Sequence, residues 1–352
     1  VTRRPVLEVR DLGVRLPRRD GGHHLVLHGV SFSVPPGEVL AVVGESGAGK
    51  TMTLTALLGL LPARAEVRGE ALVRPPGAEG DPVSLLDLPE RDRRRLRGRG
   101  IAHLPQGAAT ALTPVRTVGS QLLETARALG HGRAEAGALV RAALERFGAE
   151  EELLGRYPHQ LSGGQLQRFA NAAALLGDPW LVLADEPTAG LDEERAAVTA
   201  AELRRQADEG RAVLVVTHDL RLAEDLADRV AVLYAGHTVE TGPAARVLGH
   251  PRHPYTAALL AALPRHGLRP LAGEPPQAVG HVHGGCPFAD RCPLVVDRCR
   301  TELPALRPAP DGDGDHVTAC HRAEDLAAGA LDRGPTVVPA SVTAPRSGGA
   351  PC

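Results

Sequence analysis

Lysine is almost absent from this sequence: of 40 basic side chains, Lys50 is the single lysine and the rest are arginine. Aromatic residues are scarce too, at 2% with one tryptophan, which leaves too few flat side chains for a base-stacking platform. Neither sign of charge dominates, the formal net charge being -2, so the electrostatic footprint of a nucleic-acid partner is missing. No apolar run approaches the roughly 20 residues that cross a bilayer. The first residues, VTRRPVLEVRDLGV, lack the apolar core of a secretory signal. These gaps predict a cytosolic protein that serves a membrane only through a partner. Five cysteines in 352 residues are too few for a disulfide scaffold, yet Cys286, Cys292, Cys299 and Cys320 crowd together near one end.

What is present is a globular composition, 43% hydrophobic and 23% charged, on a length that accommodates two domains or one large domain with an appendage. Alternating apolar patterns predict strands in LEVRDLGV and LVLHGVSFSV, and EVLAVVG reads as a buried strand leading into GESGAGKT and a helix through TLTALLGLL. From about Leu86 to Leu176 the spacing is mostly helical, as in TVGSQLLETARALG and RAEAGALVRAALERFG. Strand patterns return in WLVLADEP and AVLVVTHD, with a helix expected between them from Asp192 to Glu209, and RVAVLYAGHTVETG reads as a closing hairpin. This alternation predicts an α/β fold on a parallel sheet, interrupted by a helical insertion. After Pro264 the chain turns to Pro, Gly, His and Cys, and beyond Leu326 a tail ending PTVVPASVTAPRSGGAPC is expected to be disordered.

The stretch GESGAGKT fits G-x-x-x-x-G-K-[ST] between a predicted strand and a predicted helix. Its glycines let successive N–H groups face inward, and a helix starting near Lys50 adds its positive dipole end. Gly44, Glu45, Ser46, Gly47, Ala48, Gly49, Lys50 and Thr51 are therefore the candidate phosphate cradle. The lone lysine then has a reason, because a slim ammonium can thread between terminal phosphates where a guanidinium fork would not fit. Thr51 would offer its hydroxyl to magnesium. A second element is WLVLADEP, a buried strand that carries Asp185 to the carboxyl edge of the sheet, where ligands of such folds lie. Asp185 would hold magnesium, and Glu186 would orient or deprotonate an attacking water.

LSGGQ, Leu161 to Gln165, stands just before a predicted helix and upstream of the Asp-Glu pair; Ser162 and the N–H groups of Gly163 and Gly164 make a second helix-start anion site, and Gln165 is a further nucleotide-binding candidate. These three motifs in this order resemble the ATP-binding subunits of ABC transporters. The acidic second residue of GESGAGKT, YPHQLSGG, HPRHPYTAALLAALP and GCPFADRC narrow the likeness to the oligopeptide, dipeptide and nickel importers, over about residues 5 to 325. The resemblance implies a P-loop NTPase fold of the ABC type, with a RecA-like core, an antiparallel β subdomain and a helical subdomain. It implies a nucleotide-binding domain over 5–262, in which about 86–176 is the helical insertion, a Cys-rich extension over 263–325 and a tail over 326–352.

It also implies ATP and Mg2+ as cofactors, and Gln106, in IAHLPQGAAT, as the glutamine that senses magnesium and the attacking water. His218, in VVTHD, corresponds to the histidine that contacts the γ-phosphate, and AGLD, Ala189 to Asp192, to the loop that communicates across a dimer. The implied catalytic residues are thus Glu186, His218, Lys50 and Gln106, with Thr51, Asp185 and Gln106 around magnesium. The implied partners are a second ATPase subunit, two integral-membrane permeases and an extracytoplasmic solute-binding protein, with the chain peripheral on the cytoplasmic face of the membrane and no nucleic acid involved. A soluble ABC ATPase acting on nucleic acid or ribosomes is the alternative, opposed by the neutral charge and the C-terminal extension. Two positions depart from the family. Leu16 stands where an aromatic usually stacks on adenine. PQGA replaces a sequence close to FQDP, so that Pro105 stiffens the approach to Gln106.

Cys286, Cys292, Cys299 and Cys320 follow C-x5-C-x6-C-x20-C. Clustered thiols in a cytosolic chain suggest a metal or an iron–sulfur cluster, though the spacing is looser than the usual zinc pairs. The resemblance allows a [4Fe-4S] cluster. Zn2+, with His281, His283, His316 or His321 as substitute ligands, and free buried thiols stay open. Cys352 is read as a solvent-facing thiol. The basic run RDRRRLRGRG reads as a solvated helix face in preference to a lipid contact.

Overall fold

A computed structural model describes residues 4–18, 21–107, 111–269, 271, 273, 284–310 and 314–327. The chain opens with β1 (Leu7–Pro17) and β2 (His23–Val34), enters β3 (Val39–Val43) and turns into α1 (Lys50–Leu57). It returns as β4 (Glu66–Val73) and β5 (Val83–Ser84), completing an antiparallel sheet in the order β2-β1-β4-β5. After α2 (Glu90–Leu96) and β6 (Ile101–Leu104) the chain passes through α3 (Val118–Ala128), α4 (Arg133–Arg146) and α5 (Gly163–Ala174). Then follow β7 (Leu181–Asp185), α6 (Glu193–Asp208), β8 (Ala212–Thr217), α7 (Leu220–Leu226), β9 (Arg229–Tyr234) and β10 (His237–Pro243). The C-terminal part contributes α8 (Ala244–Gly249), α9 (Pro254–Ala261), α10 (Asp297–Thr301), β11 (Arg307–Pro308), β12 (Val317–Thr318) and α11 (Ala323–Ala327).

The larger sheet runs β11-β12-β10-β9-β3-β8-β7-β6, parallel from β9 to β6 and antiparallel on the other side of β9. Its middle strands, VLAVV, LVLAD and AVLVVT, are buried at every position, because both faces are covered. Their two-residue alternation sorts the side chains into separate cores. Leu40, Val42, Leu183 and Leu214 pack toward the antiparallel sheet with Leu7, Leu12 and Leu54. Val39, Val182, Ala184, Val213 and Val215 face the helices and meet Leu122, Phe147, Phe169 and Leu203.

The helical stretch contains a strand that its spacing does not announce. Ile101–Leu104 pairs in parallel with β7, Ile101 opposite Leu181 and Leu104 opposite Ala184, and forms one edge of the main sheet. The arginine-rich run before it is α2, which buries no residue. Several of its guanidiniums hold carbonyls at the ends of other elements. Arg93 donates to the oxygens of Leu85 and Leu86, Arg97 to that of Leu58 just past α1, and Arg99 to those of Ala128 and Leu129 at the end of α3. Cations suit carbonyl-rich helix ends.

The C-terminal segment shares the core of the rest. β12 pairs with β10, and Phe288 packs edge-on against Tyr234 and beside Tyr255. His316 is buried with its Nε2 2.7 Å from Oε1 of Glu240.

Candidate active site

Three neighbouring parallel strands, β3, β8 and β7, end on one edge of the sheet, and each delivers a chemical element there. β3 runs into the loop Gly44–Gly49, whose path depends on glycine. Gly44 has φ 155° and a Cβ there would meet the Leu233 carbonyl oxygen at 2.2 Å. Gly49 has φ 102°, with Leu27 at 2.5 Å from the same hypothetical atom. Lys50 opens α1 and is 7% exposed. Its Nζ donates to the carbonyl oxygens of Gly44 at 2.7 Å and Glu45 at 3.1 Å. Burial lowers the Lys50 pKa, and the charges of Glu186, Asp185 and Glu45 oppose that shift.

β7 ends on Asp185, whose Oδ1 accepts from the Thr51 hydroxyl at 3.2 Å. Burial pushes the Asp185 carboxyl up to about 6, with Thr51 and Lys50 opposing the rise and the charge of Glu186 adding to it. Glu186 follows with φ 47°, a left-handed backbone that few side chains adopt. It is nevertheless held: its N–H donates to Val216 O, Oε2 accepts from Thr217 Oγ1 at 3.1 Å, and Oε1 lies 2.8 Å from Nδ1 of His218. Glu186 is buried, whereas the His218 side chain is 67% exposed at the end of β8.

A cavity of about 710 Å³ joins these parts. Gly44, Glu45, Ser46, Gly47, Gly49, Lys50 and Thr51 line it together with Gln106, Glu186 and His218. Leu16 lines it as well, with His24 and Val26. Ala48 is buried beneath the loop, and Asp185 reaches the site through Thr51. Gln106 is exposed, and the carbonyl of its neighbour Pro105 accepts from Gln167 Nε2 of α5 at 3.1 Å.

Ser162, Gly163, Gly164 and Gln165 do not line this cavity. They start α5, where the Ser162 hydroxyl accepts from Gln165 N–H and the Gln165 side chain accepts from Ser162 N–H. Such a reciprocal cap is worth about 1 kcal/mol. Three further residues, Thr217, Tyr255 and Arg291, contribute to the site, and spacing alone does not reveal them. Tyr255, in the HPRHPYT stretch, accepts the Glu45 N–H at 2.8 Å, and Arg291, inside GCPFADRC, binds the Glu45 carboxylate.

A family model described as ABC transporter matches residues 27–189, and one described as oligopeptide/dipeptide transporter, C-terminal region, matches residues 239–299. A putative peptide import ATP-binding protein of Brucella ovis is 36% identical over 346 residues, covering 93% of this chain and 100% of that protein. The chain belongs to the ABC transporter ATP-binding proteins of the oligopeptide/dipeptide type. Oligopeptide transport ATP-binding protein OppD of Mycobacterium bovis is 41% identical over 331 residues, covering 91% of this chain, which spans about half, 52%, of that relative. Among solved structures, a dimeric ATP-binding cassette in a post-hydrolysis state with ADP and Pi is similar at TM-score 0.60 and 25% identity, over 68% of this chain and 98% of that one. The fold is that of an ABC ATPase, mixed α/β with an antiparallel β subdomain. No helix among the described residues is long and apolar enough to cross a membrane.

In this ABC protein the four clustered thiols, free of disulfides, line a second, small cavity of about 10 Å³ beside His253 and His321. Burial pushes Cys286 up to about 11, and Cys292 and Cys320 up to about 12. Four soft sulfurs are a suitable donor set for iron–sulfur or zinc. As they stand, no three His, Cys, Asp or Glu side chains among the described residues are spaced to hold a metal ion. Of the alternative ligands, His316 is engaged by Glu240, and His321 shares a hydrogen bond with Glu302 O at 3.0 Å. His281, His283, Cys352 and the tail from 328 lie outside the described residues.

Proposed function

We propose that this chain is an ATPase that powers import of peptides or related small solutes, dipeptides, oligopeptides or nickel complexes, from the cytoplasmic face of a membrane. The observation that carries this reading is the single cavity in which the Lys50 loop, the Thr51–Asp185 pair and the Glu186–His218 pair converge. Relatives with peptide-import names favour it over the nucleic-acid alternative. Residues 5–262 are proposed as the nucleotide-binding unit with its insertion at about 86–176, 263–325 as the transporter-type extension and 326–352 as a disordered tail.

In this mechanism the loop N–H groups and Lys50 bind the phosphate chain, with the Lys50 ammonium exchanging its two loop carbonyls for phosphate oxygens. Thr51 and Asp185, with Gln106 nearby, would hold Mg2+, which needs only one or two protein ligands beside phosphate and water. When bound, the ion neutralises charge that develops on the phosphates. Glu186 accepts a proton from, or orients, the attacking water, and Thr217 and His218 fix its two oxygens. His218, exposed beside it, would contact the γ-phosphate.

Ser162, Gly163, Gly164 and Gln165 stand outside this cavity, which supports their use on a nucleotide held by a second cassette, of the same or a paralogous chain. That relative of known structure is dimeric. Two membrane permeases would receive the motion and an extracytoplasmic binding protein would present the solute. The four thiols, which line one small cavity, we propose as ligands of a [4Fe-4S] cluster, with Zn2+ as the alternative; either group requires the thiols to leave their present spacing. Visible absorption and metal analysis of anaerobically purified protein test that assignment, and metal-free, colourless protein sinks it.

The main proposal is tested by purifying the chain with its co-encoded permeases and measuring ATP hydrolysis and solute uptake in vesicles. Hydrolysis stimulated by the cognate binding protein and its peptide supports it. An assembly that neither binds nor cleaves ATP refutes it.

A further inference from the structure

Glu45, the second residue of the phosphate loop, places a carboxylate on the wall of a cavity that must admit a polyanion. Its charge already acts on the Lys50 ammonium. That carboxylate is met by a cation from the far end of the chain: the two arms of Arg291 donate to its oxygens at 2.6 and 3.1 Å across 246 positions. The Arg291 side chain is 6% exposed. It donates to the Tyr234 hydroxyl at 3.3 Å and lies 5.8 Å from the Tyr234 ring centre and 6.0 Å from that of Phe288. Tyr255, in the same aromatic cluster, holds the Glu45 N–H. Backbone and side chain of one loop residue are thus both fixed by the region after β10.

We propose that Arg291 is a positioning residue of the nucleotide site, neutralising Glu45 and anchoring the phosphate loop to the C-terminal segment so that the loop accepts a triphosphate. The inference rests on reading the cavity as an ATP site. Arginine suits this place because its planar fork meets both carboxylate oxygens, which a single ammonium does not. Without it, Glu45 is left as an uncompensated anion next to the incoming phosphates and repels them.

The test measures equilibrium binding of MgATP to the full chain and to Arg291→Ala, Arg291→Lys and the double variant Arg291→Ala/Glu45→Gln. Arg291→Ala is expected to weaken binding roughly tenfold, the scale of coupling between contacting groups. Arg291→Lys should recover part of the loss, and the double variant most of it, since no unpaired carboxylate remains. Collapse of the C-terminal packing would not be repaired by Glu45→Gln, which separates this role from a purely structural one. Unchanged affinity in Arg291→Ala, or a double variant as weak as the single one, overturns the inference. A wild-type chain that binds no MgATP overturns the ATP reading itself, and this inference with it.

Discussion

Thr51 and Asp185, 134 positions apart, meet through a 3.2 Å hydrogen bond between the start of α1 and the end of β7. The contact joins GESGAGKT to WLVLADEP, the two motifs that would hold magnesium, and it holds a carboxylate that pays a desolvation cost to be there.

That cost gives the Asp185→Asn prediction. Burial raises the Asp185 carboxyl from 3.8 to about 6, so the folded state holds the proton more firmly than the unfolded chain. For an acid shifted upward, stability is highest below pH 4, falls as pH rises to 6 and stays lowered above it. Metal-free Asp185→Asn should therefore be more stable than wild type at pH 7.5, by at most about 3 kcal/mol for a shift of this size, and melt higher. The gain should vanish near pH 4, and Mg2+-dependent hydrolysis should be lost. Thermal melts in chelator at both pH values check it.

Glu186→Gln keeps the shape of the side chain and removes the base. Binding of ATP should persist while turnover falls by about two to four orders of magnitude, and ATP should trap the closed dimer on size exclusion. Full turnover in this variant would remove Glu186 from its role.

Backbone strain at Glu186 can be read apart from its chemistry. Glu186→Gly and Glu186→Ala both lose the carboxylate, but only glycine adopts φ 47° without cost. Both should be inactive, with the glycine variant more stable by about 1 kcal/mol. Equal denaturant midpoints would show that the left-handed backbone stores no strain.

Lys50→Arg keeps the charge but not the fit, since Nζ sits between two loop carbonyls in a buried position. MgATP should raise the melting temperature of wild type and leave that of the variant unmoved.

Much of this architecture is written locally. VLAVV, LVLAD and AVLVVT announce buried parallel strands because every position is apolar up to the terminal Asp185 or Thr217, and GESGAGKT and LSGGQ carry their glycines and caps with them. β6 is harder to see because IAHL is only four residues long, embedded between helices, and becomes a strand by pairing with β7. The arginine run also had its meaning elsewhere: Arg97 and Arg99 serve helix ends that no pattern in residues 91–100 encodes. Arg291 and Tyr255 lie inside GCPFADRC and HPRHPYT, yet their service to Glu45 depends on how β10 and the segment after it fold back onto the loop.

The solitary ε-amine at Lys50 turns the phosphate loop into its own chemical reporter. A lysine-specific protease finds one bond to cut in these 352 residues, between Lys50 and Thr51, where a helix begins. An intact band after digestion then records a shut loop, two fragments record an opened one, and an acylating reagent that marks a side-chain amine has by necessity entered the cavity.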